Sequence, residues 1–118
     1  MEQKYVIAIT AIIFVILYYY FFVYNVITVY MFYGDGCGFC TEMKPQWEIV
    51  KEKINDEKMG MGYVLYDINI ADPKHKELVS KYKVQGVPYI VKVNTSDKSD
   101  VFTGPRKFKE IKEWIQAK

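Results

Sequence analysis

Apolar and polar positions divide the chain into two unlike parts. From Tyr5 to Tyr24 the sequence YVIAITAIIFVILYYYFFVY contains no charge, no proline and no glycine. A bilayer core of roughly 30 Å needs about 20 such residues in a helix rising 1.5 Å per residue, and this stretch fits. A buried core helix is disfavoured because the stretch is apolar all round. A cleavable signal peptide is disfavoured because the run is too long and no small-x-small site follows it. Tyr18, Tyr19, Tyr20 and Tyr24 crowd its end, where amphipathic rings meet headgroups. The pattern predicts a single-pass membrane anchor in residues 1–25, with a transmembrane helix over about 5–24, and a separate domain over 26–118.

Beyond the anchor the periodicity changes. ITVYMFY, Ile27 to Tyr33, is rich in β-branched and aromatic residues and ends at Gly34-Asp35-Gly36, the pattern of a buried strand with turn punctuation. Met43, Trp47, Val50 and Ile54 are spaced four, three and four apart, which predicts a helix over Thr41 to Asn55 with Phe39 continuing its apolar stripe backwards. Pro45 lies inside it and should kink it. Met59-Gly60-Met61-Gly62 reads as a break, and YVLYDINI from Tyr63 to Ile70 as a second strand. Asp72-Pro73 reads as a cap and first-turn proline opening a helix through Leu78, Val79 and Tyr82. After Gln85-Gly86-Val87-Pro88 comes PYIVKV, a third strand; DVFTG from Asp100 is a short fourth. Phe108, Ile111, Trp114 and Ile115 mark a last helix. The order β-α-β-α-β-β-α implies an α/β domain whose first crossover pairs strands in parallel and whose third and fourth strands form a hairpin.

Charge refines the picture only slightly. The net charge is +2, with acids and bases interleaved on helix faces such as KEK at Lys51 to Lys53. Solvation accounts for such faces, and no nucleic-acid footprint is visible. Lys4 precedes the anchor and no Lys or Arg follows until Lys44, so the positive-inside rule places the domain on the extracytoplasmic or lumenal side. Asn94-Thr95-Ser96 is a glycosylation acceptor pattern that suits a lumen without requiring it. The Lys, Ile, Tyr and Asn bias is that of an AT-rich genome, so a viral membrane is among the candidates.

The chain's two cysteines stand in Cys37-Gly38-Phe39-Cys40, before the predicted helix. Near a βαβ pattern this spacing reads as a redox motif. Residues i and i+3 at a helix start share a face, so the two sulfurs can reach each other. The first turn aims unpaired N–H groups and the positive end of the dipole at the first sulfur, favouring thiolate, which is the nucleophile. Cys37 at the tip is expected to attack, and Cys40, more buried, to resolve the mixed disulfide. Against a zinc site stands the shortage of ligands: two cysteines and the distant His75, which reads as a solvated first-turn residue. No metal and no organic cofactor is expected. A purely structural disulfide is the remaining alternative, although so small a ring constrains little of the unfolded chain.

FYGDGCGFCTEMKPQW, Phe32 to Trp47, resembles the active-site stretch of the thioredoxin superfamily, most of all the catalytic domains of protein disulfide isomerases. Phe32, Tyr33, Cys37, Gly38, Cys40, Pro45 and Trp47 match. KYKVQGVPYIVKV resembles the family's segment leading into its cis-proline, here Pro88; FTGPRKFKEIKEWI, with Phe102, Gly104 and Arg106, resembles the isomerase tail. The likeness runs from Ile27 to Trp114. It implies a thioredoxin-like fold with a mixed four-stranded sheet. It also implies that Pro88 lies in cis against the dithiol, with the backbone of Val87 pairing with substrate and Gly38 and Phe39 supporting the site. An ordinary trans turn proline is the alternative for Pro88.

Three positions depart from the family. Gly36 stands where tryptophan is usual before the first cysteine. Phe39 stands where isomerases have histidine; because phenylalanine cannot become cationic, a less oxidising couple is expected. Met31 stands where the family has a buried carboxylate beneath the second cysteine. Asp67, on the neighbouring strand, is a candidate proton acceptor in its place, or else a plain strand-end polar group. Asp35 would work mildly against the thiolate. The resemblance and the apolar run together point to a membrane-anchored thiol–disulfide oxidoreductase, expected to be a monomer acting on protein thiols and disulfides and reset by an unidentified redox partner. The alternatives are a glutaredoxin-like, glutathione-dependent reductase, weakened by a single Gly104 where a glycine pair is expected, and a redox-inert binding or assembly module of the same fold.

Overall fold

The structure is a computed structural model that describes residues 2–20, 26–56 and 62–117. The seven residues ITVYMFY, rich in β-branched and aromatic side chains, would make a poor helix and form a strand instead: β1 is Ile27–Tyr33, followed by α2 (Gly38–Asp56), β2 (Tyr63–Asn69), α3 (Lys76–Lys81), β3 (Tyr89–Val93), β4 (Ser99–Val101) and α4 (Phe108–Gln116), with α1 (Gln3–Tyr18) ahead of them. The sheet order is β2-β1-β3-β4. β1 runs parallel to β2, and β3 is antiparallel to both β1 and β4, giving the mixed four-stranded sheet that the element order implies.

Alternation along β1 sorts its side chains into two cores. Val29 and Met31 point to one face, where Met43, Trp47, Val50 and Ile54 of α2 and Ile111 and Ile115 of α4 cover them with Ile90. Phe32 points to the other, where Ile68, Val91 and Val93 meet Leu78, Val79 and Tyr82 around α3. The four α2 residues picked out by spacing are at most 1% exposed, so the helical period places them on the sheet as expected.

Several boundaries differ from the sequence reading. α2 continues through Pro45, which lies inside it as the spacing predicts; its missing hydrogen bond is outweighed by a face that buries Trp47 and Val50 completely. The helix also begins three residues earlier, at Gly38. Asp72 does cap the next segment, its Oδ1 accepting from the Lys74 N–H at 3.1 Å, but Pro73–His75 forms a 3-10 turn before α3 begins. β4 ends at Val101: Phe102 donates its N–H to Ile90 and turns its ring into the core instead of extending the strand. His75 is half-buried, its Nδ1–H donating to the Asn69 carbonyl at 3.1 Å, where a solvated ring was expected.

The described residues do not by themselves support the expected anchor. α1 holds 16 residues, none of them buried. At 1.5 Å each that is about 24 Å, short of a roughly 30 Å hydrocarbon core. Among the described residues no helix is long and apolar enough to cross a membrane. Phe21–Tyr24, the end of the run expected to span, and Met59–Met61, the expected break, lie outside the described residues.

Candidate active site

The turn Gly34-Asp35-Gly36 delivers the chain from the end of β1 to the start of α2. Gly36 adopts φ 71°, a left-handed conformation that a residue with a Cβ rarely takes. That backbone explains glycine at a position where the resemblance leads one to expect tryptophan. Cys37 follows as the residue that caps α2: its carbonyl accepts the first helical bond from Thr41 N–H at 3.1 Å, and its sulfur accepts from Cys40 N–H at 3.1 Å. Sulfur thus takes the place that a Ser or Asp oxygen fills at an ordinary helix start. The Cys40 thiol hydrogen-bonds to the Cys37 sulfur and is the main cause holding the Cys37 thiol below its ordinary pKa; the backbone N–H groups of Cys40 and Phe39 and the charge of Arg106 act in the same direction, and only desolvation opposes them. Both residues are free thiols.

Cys40 lies one turn in and is 7% exposed. Burial pushes its thiol up, and its bond to the Cys37 sulfur adds to the effect. The two halves of the dithiol are therefore pulled apart: one half-buried and drawn toward the thiolate, the other buried and held toward the thiol. A cavity of about 260 Å³ reaches Cys40, lined also by Met31, Thr41, Lys44 and Asp67. The register settles where Asp67 stands, directly beside Met31 on the neighbouring parallel strand. Its carboxylate accepts from the buried Trp47 indole and, at 2.9 Å, from Lys51. Burial works against the charge on Lys51, but the hydrogen bonds it donates to Asp67 and Glu48 outweigh it and raise its pKa. Sequence reading gave Trp47 only a core role. The missed signal is the i, i+4 spacing of Trp47 and Lys51, which sets an N–H and an ammonium on one face, toward one acid.

Across from the dithiol the Val87–Pro88 peptide bond is cis. The Cys37 thiol faces the Val87 carbonyl at 3.7 Å, a weak S–H donor contact. Gly34 permits the close approach, since a Cβ there would stand 3.3 Å from a Val87 methyl carbon. Gly38 opens α2 with no atom where its side chain would be. Phe39 does not continue the buried stripe. It is 63% exposed, because the helix tip extends past the sheet, and its ring carries the Arg106 guanidinium 5.4 Å from its centroid. Phe39, Pro88, Phe102 and Arg106 line a groove of about 500 Å³ between the start of α2 and the segment before α4. Asp35 accepts a long bond from Asn69 at 3.4 Å, and Arg106 is the charged group whose field lowers the Cys37 pKa. Among the described residues no set of three or more His, Cys, Asp and Glu side chains is placed to hold a metal ion.

The thioredoxin family model matches residues 22–117. The chain belongs to the thioredoxin family. Among curated relatives it is 30% identical over 87 residues to protein disulfide isomerase-like 1-2 of Oryza sativa subsp. japonica, covering 72% of this chain and 16% of that protein. It is 26% identical over 86 residues to the protein disulfide-isomerase of Ricinus communis, covering 72% and 17%. The chain thus spans about one-sixth of the length of the curated relatives it matches. Among solved structures, the first two thioredoxin domains of Naumovozyma dairenensis Eps1p superpose with a TM-score of 0.67 at 23% identity, over 78% of this chain and 34% of that one. Human ERp44 superposes with a TM-score of 0.68 at 18% identity, over 79% and 25%. These superpositions show the thioredoxin fold.

Proposed function

We propose that the chain is a thiol–disulfide oxidoreductase acting on protein substrates through Cys37 and Cys40. The observation that carries this reading is the split dithiol: an ionisable sulfur at the open end of α2, backed within hydrogen-bond reach by a buried thiol. The Cys37 thiolate attacks one sulfur of a substrate disulfide. A Cys37–substrate bond forms, and the other substrate sulfur leaves as thiolate. Cys40 then loses its proton and attacks the Cys37 sulfur, closing the Cys37–Cys40 disulfide and releasing the second substrate thiol. Two electrons pass from the dithiol to the substrate, and the reverse sequence oxidises. Direction is set by the couple's potential against its compartment.

Supporting roles follow from position. The backbone of Val87, before Pro88, offers its carbonyl beside Cys37 to an extended substrate segment. Gly38 leaves the approach open, and Phe39 provides an apolar rim. Asp67 receives the Cys40 proton through the cavity that they both line, whose size admits several waters. Replacing Cys37 by Ser is expected to abolish insulin reduction and dithiol-dependent refolding of a scrambled substrate. Retained activity would sink the proposal.

The membrane anchoring belongs to the same reading, with residues 1–25 as anchor, 26–118 as catalytic domain, and the domain on the extracytoplasmic or lumenal side. Its support is the apolar run, together with α1 side chains such as Leu17 and Ile7 that stand 44% and 68% exposed. So continuous an apolar surface calls for lipid or a partner to cover it. The full chain should stay with vesicles through alkaline carbonate washing, while a chain lacking residues 1–25 should not. Protease protection of the domain in sealed vesicles reads its side; release of the full chain by carbonate would refute anchoring.

A further inference from the structure

The turn between β3 and β4 holds the one Asn-x-Ser/Thr pattern in the sequence, Asn94-Thr95-Ser96, and the exchange chemistry makes no use of it. Every residue from Asn94 to Asp100 is exposed. The two ends of the Asn94 side-chain amide are engaged differently. Its Oδ1 accepts from the backbone N–H groups of Ser96 at 2.9 Å and Lys98 at 3.0 Å. Its own backbone closes the turn, the N–H donating to the Lys98 carbonyl at 3.1 Å and the carbonyl accepting from Asp97 N–H at 3.0 Å. Its Nδ2 donates to no group among the described residues. The turn also lies away from the dithiol. Tyr89, next to Pro88, pairs with Phe32 at one end of β3, and Val93, next to Asn94, pairs with Thr28 at the other. Five residues at about 3.3 Å each set the turn roughly 16 Å along the strand from the cis-proline.

We propose that Asn94 is an N-glycosylation site, its Nδ2 taking an oligosaccharide from a lipid-linked diphosphate donor at the pole of the domain opposite the dithiol. This rests on the lumenal side proposed above for residues 26–118. The three-residue pattern is common by chance; this one is distinguished by an amide whose oxygen is locked and whose nitrogen is free. In the transfer Nδ2 attacks the anomeric carbon of the donor sugar. A carbon–nitrogen bond forms, the bond from that carbon to the diphosphate oxygen breaks, and the lipid diphosphate leaves. One Nδ2 proton passes to a base on the transferase, and nothing is oxidised or reduced. The product amide keeps its carbonyl oxygen, so both bonds to Oδ1 survive and the folded turn holds the glycan without rearrangement. A bulky, solubilising group there covers an exposed hairpin and leaves Cys37 open to a substrate.

The test is translation of the full chain in the presence of rough endoplasmic-reticulum microsomes, which supply donor and transferase. The protected chain should migrate more slowly by one glycan, and peptide N-glycosidase should remove the shift and leave deamidation at Asn94 alone. Asn94→Gln should abolish the shift, but it also disturbs the turn. Ser96→Ala is the cleaner variant, because Ser96 serves the turn through its backbone N–H and both Oδ1 bonds remain. It should lose the shift entirely, whereas Ser96→Thr should keep it. A shift that survives Ser96→Ala, or no shift in a domain that the vesicles protect from protease, would overturn the proposal and leave the lumenal side standing. No shift in a domain open to protease would overturn both. Insulin reduction through Cys37 is measured without membranes and stands or falls separately.

Discussion

Asp67 offers a sharp way to separate architecture from proton transfer, because its two oxygens do different jobs. Oδ1 accepts from the buried Trp47 indole, and Oδ2 meets Lys51 at 2.9 Å. Asp67→Asn keeps an oxygen for the indole and removes only the charge. The ion pair it breaks is partly solvated, with side chains 27% and 35% exposed, so the stability cost should be about 0.2–1 kcal/mol. Asp67→Leu instead leaves the indole N–H buried and unpaired, at a cost of about 1–3 kcal/mol. Urea unfolding of the reduced proteins should rank them in that order. The resolving step should rank them differently. Loss of a general base lowers a proton-transfer step by about a hundredfold or more, and both variants lose the base equally. With Cys37 preloaded as a mixed disulfide with a chromophoric aromatic thiol, release of the chromophore reports attack by Cys40. Asp67→Asn should be folded and slow. A variant that resolves as fast as wild type across neutral pH would refute the proton-acceptor role and leave Asp67 as a brace for Trp47.

Two further outcomes follow from the same geometry. The Cys40 hydrogen bond holds the Cys37 pKa down while burial pushes Cys40 up, so alkylation of the reduced protein should proceed in two phases with pH. Cys37 should react first, at a pH below the ordinary thiol range, and Cys40 only well above it; mass spectrometry after timed quenching assigns the sites, and simultaneous labelling would contradict the split. Ile111→Ala removes a fully buried side chain from the core that α2 and α4 share and should cost about 2–5 kcal/mol in urea unfolding, with the Cys37 alkylation profile unmoved because neither cysteine belongs to that cluster.

Sequence was most informative where one period dominates. β1 was legible residue for residue from Ile27 to Tyr33, and Met43, Trp47, Val50 and Ile54 all lie on the buried face of α2, because burial on one side imposes a spacing that composition preserves. The dithiol was legible because its chemistry requires two sulfurs one turn apart. Boundaries were less so. Phe102 looks like a strand residue, but its place is decided by a hydrogen bond to Ile90 and by the core its ring enters, both long-range. Phe39 was misjudged for a related reason: helical spacing gives direction around the axis but not where the partner sheet stops. The Arg106 contact lay furthest out of reach, since it joins residues 67 positions apart in sequence (106 minus 39) through a groove that exists only once β3 and α4 are in place.

The sulfur that caps α2 has a last implication for turnover. An anionic acceptor binds N–H about twice as strongly as a neutral one, and once Cys37 is covalently joined to another sulfur its negative charge is gone. Every oxidised or substrate-linked form therefore leaves the first turn of α2 less firmly tied than the free thiolate does. The catalyst is at its most rigid when empty and reduced, so local amide exchange at Cys40 and Thr41 should quicken on oxidation.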